Sequence, residues 1–153
     1  MGIFPLFKKA PFFSDEEKGR IVAAIRDAEH NTSGEIRVYV ESKNTYVDPM
    51  DRASEVFYNL KMDKTADRNA VLLYIAMVDK ELVLFGDEGI YNQVGELYWG
   101  NAVKNMLTQF KATNICDGIV KCIYTIGQTL QEKFPYNSNT DKNELPDDIV
   151  FGK

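Results

Sequence analysis

Arg68-Asn69-Ala70-Val71-Leu72-Leu73-Tyr74-Ile75-Ala76, followed after a short polar break by Glu81-Leu82-Val83-Leu84-Phe85-Gly86-Asp87-Glu88-Gly89-Ile90, is the stretch on which the fold turns. Two apolar runs of strand length, joined through Val78, Asp79 and Lys80, predict a buried hairpin of Val71 to Ala76 and Glu81 to Phe85. The hairpin runs into a loop where two carboxylates, Asp87 and Glu88, lie beside Gly86 and Gly89, whose missing side chains let the backbone bend.

Upstream, Asp48 before Pro49 is a helix start, since an aspartate caps orphan N–H groups and proline suits the first helical position. Ala53, Val56, Phe57 and Leu60 give that helix an apolar face. Glu35 to Glu41 reads as a strand in which Ile36, Val38 and Val40 alternate with Arg37 and Tyr39. Before it, Ser14 and Glu17 form a capping box that opens a helix from about Asp15 to His30, with Ile21, Val22, Ile25 and Ala28 inward. Downstream, a third helix from about Val94 to Lys111 carries Trp99, Val103, Met106, Leu107 and Phe110 at helical spacing. A fourth, from about Ile115 to Phe134, carries Ile119, Cys122, Ile123, Ile126 and Leu130 before Pro135 stops it. The resulting plan is an arm over residues 1–13, one domain over 14–135 and a polar tail over 136–153, with Ile149, Val150 and Phe151 left free to dock. The order helix, strand, helix, strand, strand, helix, helix predicts an α/β fold with a mixed sheet, its first two strands parallel.

Composition narrows the function. With 153 residues and 44% hydrophobic content the chain supports one core. Its 18 Lys and Arg against 23 Asp and Glu leave a net charge of -5, which excludes a general nucleic-acid binder and favours a cation as small partner. Cys116 and Cys122 fall on one helix in different directions and read as buried thiols. His30 is the sole histidine, so no zinc-site spacing arises, and its place near a helix C-terminus predicts a capping role. No apolar run is long enough to span a membrane, and the order of residues 1–13 is wrong for a signal peptide, so a cytoplasmic location is expected. Ile3, Phe4, Leu6 and Phe7 beside Lys8 and Lys9 leave open peripheral contact with a membrane or a protein partner, against the simpler reading of an arm folded onto its own core.

Thr32-Ser33-Gly34-Glu35-Ile36-Arg37-Val38, Asp67-Arg68-Asn69-Ala70-Val71-Leu72-Leu73 and Phe85-Gly86-Asp87-Glu88-Gly89-Ile90, in this order, resemble the strands of the TPM-domain family, and Asn143-Glu144-Leu145-Pro146-Asp147 resembles a bacterial subgroup of it. The resemblance covers roughly Phe12 to Phe134 and departs from the usual pattern at Ala70 and Asp87. It implies a three-layer, Rossmann-like α/β/α sandwich with a mixed central sheet. It further implies divalent-metal binding at acidic loops and, for some plant members, acid-phosphatase activity.

Parallel first strands with an antiparallel third would bring Glu35, Asp67, Asp87 and Glu88 to one end of the sheet. Hard cations such as Ca²⁺ or Mg²⁺ take several oxygen ligands, so these four are the candidate metal ligands, against the simpler reading of solvated turn carboxylates with Glu35 facing water. A rival set, Asp48, Asp51 and Asp79, lies at the opposite end, where helix capping explains the first two. Trp99, Tyr91 and Tyr98 are core aromatics or the rim of a cleft. No glycine-rich phosphate loop and no Ser-His-Asp arrangement is present, and Arg37, Arg68 and Lys80 are the cations available to a phosphate. A cation-binding interaction module is therefore expected ahead of a metal-assisted phosphatase acting on phosphomonoesters.

Overall fold

Ser14 opens α1 (Asp15–Glu29) through a complete capping box, its hydroxyl accepting the Glu17 N–H while the Glu17 carboxylate accepts the Ser14 N–H. The computed structural model that places these groups describes residues 12–45, 48–112, 114–136 and 148–152. The expectations for Ile3, Phe4, Leu6, Phe7, Lys8 and Lys9, for the side chain of Phe110 and for 143–147 lie outside the described residues. Ile21, Ala24, Ile25 and Ala28 are buried; Val22, expected inward, is only half-buried, and Ala24 takes that place on the stripe. His30 is the C-cap.

The remaining elements are β1 (Glu35–Glu41), α2 (Pro49–Asn59), β2 (Ala70–Ala76), β3 (Glu81–Gly86), α3 (Glu88–Ala112), α4 (Ile115–Lys133) and β4 (Val150–Phe151). They build one sheet in the order β3-β2-β1-β4. β1 is parallel to β2 with Glu35 opposite Ala70, and β2 is antiparallel to β3 with Val71 opposite Gly86. Val150 and Phe151, at the far end of the polar tail, pair in parallel with Tyr39 and Val40 of β1.

Side chains alternate across a strand, so the sheet has two distinct faces. Ile36, Val38, Val40, Val71, Leu73, Ile75, Leu82 and Leu84 meet α1, α3 and α4 on one of them. Leu72, Tyr74 and Val83 meet Ala53, Val56 and Phe57 of α2 on the other. β2 is buried along its whole length, as its unbroken apolar run requires. The architecture is thus a mixed sheet between two helical layers, an α/β/α sandwich.

α3 starts at Glu88, six residues before the helix expected from the apolar stripe. Gly95, at φ 80°, interrupts it, so the helical period visible in the sequence begins only after that break. Leu107, expected on the buried stripe, is exposed. Among the described residues no helix is long and apolar enough to cross a membrane.

Candidate functional site

At the end of the sheet where β1 and β2 begin and β3 finishes, the chain makes two close backbone approaches. The Asp87 N–H donates to the Ala70 C=O at 2.9 Å, and the Gly89 N–H donates to the Arg68 C=O at 2.8 Å. A Cβ on Gly89 would stand 2.1 Å from the Asp67 carbonyl oxygen, so only glycine fits there. Arg68 itself is left-handed, at φ 51°.

These constraints set Arg68 against the start of α3. Its Nε and Nη2 donate to Asp87 Oδ2 and Oδ1 at 2.6 and 2.8 Å, and its Nη1 lies 2.8 Å from Glu88 Oε1. Asp87 Oδ1 also accepts the Glu88 N–H at 2.8 Å, so the carboxylate serves the helix N-terminus as well. The Asp87 side chain is 3% exposed, that of Arg68 37% and that of Glu88 64%. Hydrogen bonding to Asp87, and the charges of Asp87 and Glu88, push the guanidinium still further from deprotonation against a smaller opposing effect of burial.

The four candidate ligands share this end without forming a cage. Asp87 and Glu88 converge on Arg68, Asp67 is exposed, and Glu35 is 2% exposed rather than facing water. Next to Glu35, Asn69 donates through Nδ2 to Ser33 Oγ at 3.2 Å, while its Oδ1 is buried with no hydrogen-bond partner among the described residues. Among the described residues no group of three or more His, Cys, Asp or Glu side chains is arranged to hold a metal ion.

The opposite end holds a network that the sequence pattern did not disclose. Glu41, the last residue of β1, receives Arg52 Nε and Nη2 at 2.9 Å each and the Tyr74 hydroxyl. Arg52 also reaches Glu55 and, at 3.3 Å, the Tyr39 hydroxyl, while the Tyr39 and Tyr74 rings stack at 6.0 Å. Burial would raise the Glu41 pKa, but hydrogen bonds from Arg52 and Tyr74 together with the Arg52 charge outweigh it, and the carboxyl is held below its usual range. The polar positions Glu35, Arg37, Tyr39 and Glu41 at period two are the signal in the sequence that could have found it.

The rival carboxylates have local duties. Asp48 caps α2 by accepting the Met50 N–H at 2.9 Å, Asp51 sits in its first turn, and Asp79 accepts the Asn44 N–H at 2.7 Å. Lys80 lies in the β2–β3 turn, at the far end of the sheet from Arg68, and Arg37 is buried within β1, so the three cations considered for a phosphate are not gathered at one place. Trp99 is buried but also borders a cleft with Tyr91, and the Tyr98 hydroxyl pairs with Thr129 at 2.7 Å. Cys116 and Cys122 are free and buried, as expected.

A family model described as the TPM domain matches residues 6–129. The chain belongs to the TPM-domain family. Two solved TPM-fold structures accompany that match. The NMR structure of BA42 protein from the psychrophilic bacterium Bizionia argentinensis is 44% identical, with a TM-score of 0.87 over 95% of this chain and 99% of that one. The solution structure of the N-terminal domain of cg2496 protein from Corynebacterium glutamicum, 15% identical with a TM-score of 0.61 over 78% of this chain and 74% of that one, shares the fold. A comparison with curated proteins gave no match. The TPM fold is what places the Arg68 and Glu41 clusters at opposite ends of one sheet.

Proposed function

We propose that this TPM domain is a non-enzymatic, cytoplasmic binding module that takes a divalent cation, Ca²⁺ or Mg²⁺, at the sheet end carrying Glu35, Asp67, Asp87 and Glu88, by exchange with the Arg68 guanidinium. The observation that carries this reading is the Asp87–Arg68 pair: a buried carboxylate needs a countercharge, and here that charge sits on a long side chain one-third open to solvent. As the side chains stand, Arg68 occupies both Asp87 oxygens, so a metal fits only once Arg68 has swung away. Asp87, Glu88, the Asp67 carboxylate and Asn69 Oδ1, buried and without a hydrogen-bond partner among the described residues, would then offer the hard oxygen donors that such cations take. The competition with Arg68 keeps the affinity low, in the range of about 10⁻⁴ to 10⁻³ M typical of weak sites.

Arg68 is also the feature that favours a metal-assisted phosphatase, because a guanidinium grips phosphate in bidentate fashion. Asp87 and Glu88 count against it, since they place two negative charges where the phosphate would bind. A backbone-resolved NMR titration with Ca²⁺ and Mg²⁺ tests the module. Shifts are expected at 67–69 and 87–89, removed by Asp87→Asn with Glu88→Gln, and Arg68→Ala should tighten binding by deleting the competitor. Silence at these residues, shifts at the Glu41 end instead, or weaker binding in Arg68→Ala would refute the exchange. Robust turnover of a generic phosphomonoester that is lost in Arg68→Ala would favour the enzyme.

A further inference from the structure

β3 is an edge strand, paired with β2 on one side and with no strand on the other among the described residues. The Asp87 N–H bond to the Ala70 C=O fixes the phase of the antiparallel ladder, in which pairs with and without hydrogen bonds alternate. Phe85 with Leu72, Val83 with Tyr74 and Glu81 with Ala76 therefore exchange main-chain hydrogen bonds, and the N–H and C=O groups of Leu82, Leu84 and Gly86 point away from β2. Leu82 and Leu84 are 8% and 3% exposed beneath the flanking side chains and Gly86 is half-buried, so an added strand must part those side chains. Edge strands are ordinarily blunted by proline, charge or a bulge, yet Leu82 to Gly86 contains no proline and no charge, and the register runs without a bulge.

α2 and α3 pack against β3 from its two faces, so this open side lies along a cleft of about 400 Å³. Met50 of α2 and Tyr91 and Trp99 of α3 wall it beside Phe85 and Gly86, and Glu96 is its one charged lining residue. Met50 and Tyr91 are exposed, and the Trp99 indole N–H is buried with no acceptor among the described residues.

We propose that the open side of β3 docks an extended segment of a partner protein, which adds as a further strand, seats a bulky apolar side chain in the cleft and sets a lysine or arginine against Glu96. Strand addition of this kind draws affinity from main-chain hydrogen bonds and specificity from pockets for alternate side chains. A second copy of this chain is the poorer occupant, because its own β3 is walled by the same two helices, which would meet these. A lone extended segment carries no such walls, and a basic one complements both Glu96 and the net charge of -5.

The test uses the isotopically labelled full chain in EDTA, so that cation binding contributes nothing. The probe is an acetylated, amidated peptide of alternating valine and threonine with a central tryptophan, made once with lysine and once with glutamate at both ends. The lysine peptide is expected to shift the amides of Leu82, Leu84 and Gly86 and protect them from exchange, and to bind more tightly than the glutamate peptide. Gly100→Trp fills the cleft from a position where an added Cβ meets nothing within 4 Å, and should abolish binding with the thermal melt unchanged. Binding that survives Gly100→Trp, shifts confined to other elements, no binding of either peptide at millimolar concentration, or protection of β3 without peptide in step with dimer formation would each overturn the proposal.

Discussion

Arg52→Ala removes a cation from a carboxylate that the fold has taken out of water. The Glu41 side chain is 5% exposed and that of Arg52 18%, and the substitution deletes two charge-assisted hydrogen bonds of 2.9 Å. Glu41 is left with the Tyr74 hydroxyl as its hydrogen-bond donor among the described side chains. Breaking a buried pair from one side costs about 3–5 kcal/mol, because the remaining charge stays buried and uncompensated. Arg52 is partly open, so water enters the gap, and the lower figure of about 3 kcal/mol applies. At about 2–4 °C per kcal/mol for a domain of this size, the melting temperature should fall by about 6–12 °C. Urea unfolding near neutral pH measures the loss, and a cycle with Glu41→Gln isolates the pair. The double variant should be more stable than the sum of the single losses implies, since the glutamine leaves no charge behind. A loss below about 1 kcal/mol, the range of exposed ion pairs, or additive single effects would refute this account of the cluster.

The acid limb follows from the same group: Glu41 has a lower pKa folded than unfolded, so its stabilisation is complete above the unfolded value of about 4.3 and is lost as pH falls through the folded one. The stability gap between wild type and Glu41→Gln should therefore be flat near neutrality and close below about pH 4.3 in urea titrations. Gly89→Ala drives a methyl into the Asp67 carbonyl and should cost about 3 kcal/mol. Gly19→Ala, in α1 with nothing within 4 Å of the added carbon, should instead gain about 0.5–1 kcal/mol in the same denaturation series. Burial pushes the Cys122 thiol up to about 12 and raises that of Cys116 too, so a disulfide reagent at mildly alkaline pH should label neither until urea is added.

The order of the strands was legible because β1 and β2 write different patterns: alternation along Ile36, Val38 and Val40, and an unbroken run along Val71 to Ile75. Period two cannot say whether a polar face meets water. Glu35, Arg37 and Glu41 are all buried, on the face that also carries α2. β4 contributes two residues, too few to carry any period, and Gly95 hides the first turns of α3 by breaking its phase. Asp87 and Glu88 were expected at the correct sheet end, but their partner was not. Arg68 stands beside Asp67 in sequence and reaches Asp87, nineteen residues on, from a left-handed backbone position that its residue type does not announce.

The two ends of the sheet solve one electrostatic problem with different consequences. Each buries a carboxylate, Glu41 at one end and Asp87 at the other, and each neutralises it with a bidentate arginine. Arg52 is anchored on a helix, sits within reach of Glu55 and Tyr39, and is 18% exposed, so leaving would break several contacts at once. Arg68 holds only Asp87 and Glu88 among the described ion pairs, and its side chain is twice as open. The proposed countercharge exchange would therefore be easier at the Arg68 end, although Glu41 too has a further carboxylate, Glu55, on its arginine. If the proposed exchange holds, accessibility of the resident arginine, more than the number of acidic residues, would decide which end an incoming cation enters.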